Sequence, residues 1–206
     1  MLQTPPTLRP QRALCAHCTL PSSACLCHWI RPVDNRVDVL LLQHPQEVAQ
    51  AKGSARLLRL SLGRCRVLVG EQFESQVLAK ALHVGQRRPL LLYPPSPGAP
   101  ACERPPTGLE AEQLSLVVID ATWRKSRKIL ALNPALQALP RLALQDPPPS
   151  RYTNRRAEHA GQRSTLEAAV LALQALETQA ERYEPLLQAF SGLVGQQLAR
   201  LPRKTQ

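Results

Sequence analysis

The stretch from Leu116 to Leu130, LVVIDATWRKSRKIL, brings a carboxylate, a tryptophan and four basic side chains into a few turns of chain. Leu116 to Ile119 reads as a strand buried on both faces, because only a covered strand carries four apolar residues in a row. Asp120 then falls at the carboxyl end of that strand, where open α/β sheets place their ligand crevices. A carboxylate there can act as a general base or accept a hydrogen bond from a substrate. Trp123 opens a helical pattern and offers a face on which a base could stack. Arg124, Lys125, Arg127 and Lys128 follow and suit the phosphates of a nucleic acid. The plainer readings are that Asp120 caps a helix or joins an ion pair, and that Trp123 fills the core. The sequence leaves both open.

A second constellation lies near the start. Cys15, Cys18, Cys25 and Cys27 are spaced C-x2-C-x6-C-x-C within 13 residues. Four thiolates satisfy the tetrahedral preference of Zn²⁺, and Pro21-Ser22-Ser23 lets the chain reverse between the two pairs. Such a site would fold a segment that has little core of its own. Structural zinc is favoured over an iron–sulfur cluster or unpaired core thiols. His17 and His28 flank a site that four cysteines already fill. Cys65 and Cys102 stand alone, and Cys65, at the head of an apolar run, reads as a core residue.

At 206 residues the chain can bury one domain with a small appendage. Its formal charge is +11 and uneven: Asp120 to Arg163 holds nine Lys/Arg against three Asp/Glu. A basic stripe of this kind favours a nucleic-acid partner. No run approaches the roughly 20 apolar residues that span a bilayer. Prolines occupy MLQTPPTLRPQRAL where a signal peptide would need its apolar region. The expectation is a soluble, cytoplasmic protein with reduced cysteines, for which a clustered set means metal rather than disulfides.

The elements that must position these residues alternate. Strands are expected at Val37–Leu42, Cys65–Val69, Pro89–Tyr93, Leu114–Ile119 and, briefly, Arg141–Leu144. Helices are expected at Glu47–Leu62, Phe73–His83 and Trp123–Leu132. Ser96 to Thr107 reads as a Pro/Gly-rich loop, and Gln145 to Gln162 as a long loop of prolines and arginines, of the kind that is often functional. Ser164 to Tyr183 is the clearest helix, with Leu166, Val170, Leu173 and Leu176 on one face. Ser164-Thr165-Leu166-Glu167 fits a capping box. Pro185 opens a last helix to about Arg200. Strands alternating with helices argue for an α/β fold, a parallel sheet layered with helices. The expected division is a flexible arm (1–12), a zinc-binding segment (13–35), a catalytic domain (36–200) and a basic tail (201–206).

Taken together, these motifs resemble the DTW-domain family. Asp120-Ala121-Thr122-Trp123 matches its D-x-T-W signature. The four cysteines, Tyr93-Pro94-Pro95, Ser150-Arg151-Tyr152 with Arg155, and Ser164-Thr165-Leu166-Glu167-Ala168 fall in the family's order. The resemblance runs from Cys15 to about Ala175. Ala121 stands where the family often has glycine, which argues against a positive φ there. The resemblance implies a fold related to the knotted SPOUT methyltransferases. It also implies a tRNA-uridine aminocarboxypropyltransferase, which uses S-adenosylmethionine, modifies N3 of a uridine and leaves methylthioadenosine.

That reaction assigns roles. Uridine N3 carries a weakly acidic imide proton, so a base must act, and Asp120 is the candidate. Thr122 and Trp123 become pocket walls. Tyr93, Pro94 and Pro95 shape an adenosine pocket. Arg151, Tyr152 and Arg155 form part of the donor site, and the arginines suit the donor carboxylate or tRNA phosphates. Arg156 reads as a solvated loop charge. Ser164 and Thr165, at a helix N-terminus that favours anions, are donor-site neighbours. His44, beside a proline, reads as structural. Two rivals remain at this stage: an RNA methyltransferase using the same donor, and a non-catalytic zinc-containing RNA-binding protein.

Overall fold

Parallel strands need crossover connections and cover on both faces, and this chain supplies both. The computed structural model describes residues 13–48, 50, 54–96, 98, 100–102, 108–144, 148, 150 and 163–199. The strands are β1 (Asp38–Gln43), β2 (Cys65–Val69), β3 (Arg88–Leu92), β4 (Ala101–Cys102), β5 (Leu114–Asp120) and β6 (Arg141–Leu142). They form one sheet in the order β2-β1-β5-β3-β6-β4, and every pairing is parallel. The helices are α1 (Ser54–Ser61), α2 (Ser75–Leu82), α3 (Trp123–Leu132), α4 (Pro134–Gln137), α5 (Thr165–Glu177) and α6 (Glu184–Ala199). No helix among the described residues is long and apolar enough to cross a membrane.

The period of two along each strand splits the core. Val39, Leu41, Leu90, Leu116 and Val118 pack against α1, α5 and α6. Leu40, Leu42, Leu91 and Val117 pack against α2, α3 and α4. By the same alternation Gln43 and Asp120, paired in register at the ends of β1 and β5, belong to the α1 and α5 face. From β1 the chain passes to β2 on one side, and from β5 it passes to β6 on the other. The β1–β5 boundary is therefore a topological switch point, where a crevice opens beyond the strands' carboxyl ends.

Several sequence expectations need correction. The stretch read as a plain loop, Ser96 to Thr107, contains β4, which pairs with Arg141 and Leu142; two residues are too few to leave a period. The helix read as Ser164–Tyr183 stops at Glu177, because Thr178 turns left-handed at φ 51. A separate 3-10 turn follows at Glu181–Tyr183. Where the expected first helix would start, the chain makes a 3-10 turn at Pro45–Glu47 capped by His44, and α1 is described over Ser54–Ser61. The helix α4, opened by Pro134, had no expectation. Cys65 is only half-buried, packed at the core's edge. The terminal arm, the basic tail and most of Gln145 to Gln162 lie outside the described residues.

The cysteine segment docks on the same core. Cys18, Leu20 and Leu26 are buried within the α1, α5 and α6 cluster. Trp29 lies against α6, and its indole N–H donates to Gln196 Oε1 at 2.7 Å. The contact requires Gly192, where a Cβ would sit 2.2 Å from the Trp29 ring. Replacing glycine by alanine inside a helix normally gains up to about 1 kcal/mol, but overpacking costs about 1–3 kcal/mol. Gly192→Ala is therefore expected to lower the urea midpoint, and to raise it in a Trp29→Ala background. The same sign in both backgrounds would refute the close contact.

Candidate active site and metal centre

Asp120 is delivered by β5 into the crevice at the switch point and is only 9% exposed. Its Oδ1 accepts from the Thr165 hydroxyl at 2.7 Å, and its Oδ2 from the Gln43 side-chain amide at 2.8 Å. Its main-chain oxygen accepts from the His44 N–H at 3.0 Å. Burial pushes the carboxyl above its ordinary range. The Thr165 and Gln43 hydrogen bonds pull it back in part, and the Glu47 charge nearby adds to the rise. No cation pairs with Asp120 among the described residues.

Thr165 is held by the start of α5. Ser164 Oγ accepts from the Glu167 N–H at 3.2 Å, and Glu167 Oε2 accepts from the Ser164 N–H at 3.2 Å, so the capping box is complete. The Ser150 hydroxyl donates to the same carboxylate. Reciprocal capping of this kind fixes the first turn, and with it the Thr165 side chain.

A cavity of about 380 Å³ opens beside this point, walled by Tyr93, Pro94, Pro95, Thr122, Trp123, Ser164 and Thr165, with Leu142 to Leu144 behind. Seven of the residues singled out in the sequence thus line one cavity. Trp123 is 48% exposed, so it is not a core residue. It stands edge-on to Tyr93 with ring centroids 5.7 Å apart. Tyr93 Oη lies 3.1 Å from Ser126 Oγ, and the Arg141 guanidinium sits 5.3 Å from the Tyr93 ring centre. Asp120 faces a second, smaller and more polar cavity of about 100 Å³, shared with Gln43, Glu47, Gln50, Ser54 and Arg56. Arg151, Tyr152, Arg155 and Arg156 lie outside the described residues.

The four basic residues of α3 divide. Lys125 pairs with Glu47 at 2.7 Å and is mostly covered. Lys128 pairs with Glu71 at 2.5 Å, yet stays open to solvent. Arg124 and Arg127 are exposed. His44 is buried, with Nε2 2.6 Å from Glu71 and Nδ1 accepting from the Gln46 N–H. This supports its structural reading.

The cysteines meet as the spacing requires. Cys15 and Cys27 have sulfurs 3.6 Å apart, Cys18 and Cys25 3.7 Å, and all four lie within 4.8 Å of one another. A Zn–S bond of about 2.3 Å in a tetrahedron puts the sulfurs about 3.8 Å apart, whereas a disulfide would need about 2 Å. The Cys18 and His17 amides pull Cys15 down to about 6, while burial pushes Cys27 up to about 12. Arg56 braces the loop, donating to the Cys18 carbonyl at 2.7 Å and to Thr19 Oγ1 at 2.9 Å. The geometry can hold a metal ion.

Some contributors escape a motif reading. Gln43 could have been found by continuing the phase of Val39 and Leu41 to the strand end. Ser126 is a single small residue in a basic helix, and Arg141 one of 21 arginines, so neither has a local signal.

The chain matches the DTW domain family over residues 12–198. The protein named tRNA-uridine aminocarboxypropyltransferase 2 of Drosophila melanogaster is 31% identical over 194 residues, covering 91% of this chain and 76% of that protein. Its namesakes in Mus musculus and Macaca fascicularis are 29% and 27% identical over 195 residues. This chain spans 64% of each of those two. No solved structure matches.

Two outcomes are expected from this geometry. Elemental analysis should find about one metal ion per chain. Its removal by a chelator should expose four reactive thiols and lower the thermal midpoint; an unchanged midpoint would divorce the metal from the fold. The second concerns Asp120. Its folded pKa is raised above the ordinary 3.8, so the stability it contributes is present below that value. That stability is lost as pH rises towards the folded pKa, and near neutrality the native state carries an unfavourable buried charge. Asp120→Asn should therefore be at least as heat-stable as the wild type at neutral pH and lose this advantage below the ordinary carboxylate range. A large loss at neutral pH would mean that the charge stabilises the fold.

Proposed function

Because this chain belongs to the DTW-domain family, we propose that it transfers the 3-amino-3-carboxypropyl group of S-adenosylmethionine to N3 of a tRNA uridine. The observation that carries the proposal is Asp120: a buried carboxylate with no cation partner among the described residues, at the switch point, beside a cavity walled by Tyr93, Trp123 and Thr165. The names of the relatives support the same activity.

The imide proton must leave before N3 can attack. Each Asp120 oxygen accepts one hydrogen bond, from Thr165 or Gln43, and keeps a lone pair free. With its pKa raised by burial, the carboxylate is a better base than a solvated one. It takes the N3 proton. Bound S-adenosylmethionine supplies the activated group: its Cγ–S bond breaks as the N3–Cγ bond forms, and the electron pair returns to sulfur in methylthioadenosine. The cavity of about 380 Å³ is within the roughly 300–1,000 Å³ of small-molecule sites. Tyr93, Pro94 and Pro95 are assigned to the adenosine, and Ser164 and Thr165 to the donor site in the same cavity. Arg151, Tyr152 and Arg155 are assigned to the donor's polar end. Thr122 is assigned to the wall of the large cavity, and the exposed Trp123 to stacking on a base.

On α3, Arg124, Arg127 and Lys128 are exposed and are assigned to tRNA phosphates, and Lys125, which pairs with Glu47, is assigned there too. The metal is assigned as structural Zn²⁺, residues 13–35 as its segment and 36–200 as the catalytic domain. A relation to the knotted SPOUT folds and action in the cytoplasm belong to the same proposal.

Product analysis decides it. Incubation with tRNA should yield methylthioadenosine and 3-(3-amino-3-carboxypropyl)uridine, and S-adenosylhomocysteine instead would mark a methyltransferase. Asp120→Ala should abolish turnover while tRNA affinity stays nearly intact, and an active variant would remove Asp120 from the chemistry. The base works ionised, so kcat/KM should fall on the acid side at a pKa above the ordinary carboxylate value. Iron with visible absorbance would overturn the zinc assignment.

A further inference from the structure

Asp120 and Thr165 share a hydrogen bond but not a cavity. Thr165 walls the large one, lined mainly by aromatic, proline and aliphatic side chains. Asp120 walls the small one, where Gln43, Gln50, Ser54 and Arg56 offer N–H and O–H donors. A base removes a proton only from a group that reaches its own side, so the acidic N–H belongs in the small cavity. Building on the transferase reading, we propose that the polar cavity between β1, α1 and Asp120 is the subsite for the acceptor uracil, reading its imide edge.

The edge of uracil presents an N–H flanked by two carbonyl acceptors. Asp120 supplies a central acceptor for the N–H. Gln43 spends one amide hydrogen on Asp120 and keeps a second. Among the described residues the Ser54 hydroxyl has no hydrogen-bond partner, and the Gln50 amide has only a long one, 3.4 Å, to the Gln46 carbonyl. These donors are free for the two carbonyls. Arg56 is mostly committed, to the Cys18 and Val48 carbonyls and Thr19 Oγ1, and forms a fixed wall. Cytosine would set a ring-nitrogen lone pair against the Asp120 carboxylate and an amino group where a carbonyl is expected. The same pattern therefore selects uridine, and a site that pairs polar groups rejects the analogue lacking them. A volume of about 100 Å³ suits the edge of one ring, not a nucleoside.

The test is the double variant Ser54→Val/Gln50→Leu in the full, metal-loaded chain, with metal content and thermal midpoint checked against wild type. Donor binding is measured by titration with S-adenosylmethionine, and transfer by nucleoside mass spectrometry on tRNA. Losing two neutral hydrogen bonds should lower kcat/KM for tRNA about tenfold or more, with donor affinity unchanged. Unchanged tRNA kinetics would overturn the proposal. So would an equal loss of donor affinity, which would give this cavity to the donor's polar end instead. If the wild type itself forms no aminocarboxypropyl-uridine, the transferase reading has failed, and that result is separate from the variant comparison.

Discussion

The site depends on keeping one carboxylate out of water without neutralising it. A buried carboxylate is expensive unless hydrogen-bonded, and the usual remedy, an arginine or lysine beside it, would depress its pKa. Here two neutral groups do the work. Thr165 and Gln43 each donate to one oxygen of Asp120, so the charge is tolerated but not quenched. Each donor is fixed by a different part of the fold. Gln43 is aligned by the in-register pairing of β1 with β5, and Thr165 by the capping box that starts α5. Sheet register and helix capping therefore converge on one side chain, and a slip of one residue in either would turn a donor away.

The nearby cations confirm this economy of charge. Lys125 lies close in sequence, yet it pairs with Glu47, and Lys128 pairs with Glu71, which also holds His44. Each acid keeps a lysine occupied on the α3 surface rather than at the carboxylate. Glu47, moreover, raises Asp120 through its charge. Arg124 and Arg127, which have no carboxylate partner among the described residues, stay on the exposed face of the helix. The result is a basic outer helix surface, while no cation among the described residues pairs with the carboxylate itself.

Much of this could be read from residues. Four consecutive apolar positions marked β5, and the thiol spacing marked a cluster of four cysteines that could hold a metal ion. The capping box was legible at Ser164 and Glu167, because caps are local. What stayed hidden depends on contacts distant in sequence. Whether Trp123 filled the core or faced outward depended on how α3 sits against β3. The structure puts it beside Tyr93 and half in solvent. The strand β4 is two residues long and exists only because β6 offers it an edge. Gln43 lies 77 residues from Asp120, and only parity along β1 hints at their meeting. No pattern within either stretch reveals that Asp120 and Thr165 look into different cavities.

The metal segment belongs to the same argument. Arg56 reaches from α1 to the Cys18 carbonyl and the Thr19 hydroxyl on one side and to the Val48 carbonyl on the other. Val48 and Arg56 both wall the small cavity in which Asp120 is exposed. Thr19 holds a left-handed conformation, φ 56, that a β-branched residue adopts only under constraint, and the thiolate cluster and Arg56 together supply that constraint. A four-cysteine site on a short segment would ordinarily be read as a remote staple. Here its backbone is an anchor for one wall of the polar cavity, and Trp29 against Gly192 fixes the same segment to α6. Holding the segment in place therefore also sets the shape of the space next to the carboxylate, and the four-cysteine cluster and the cavity are joined through a single guanidinium.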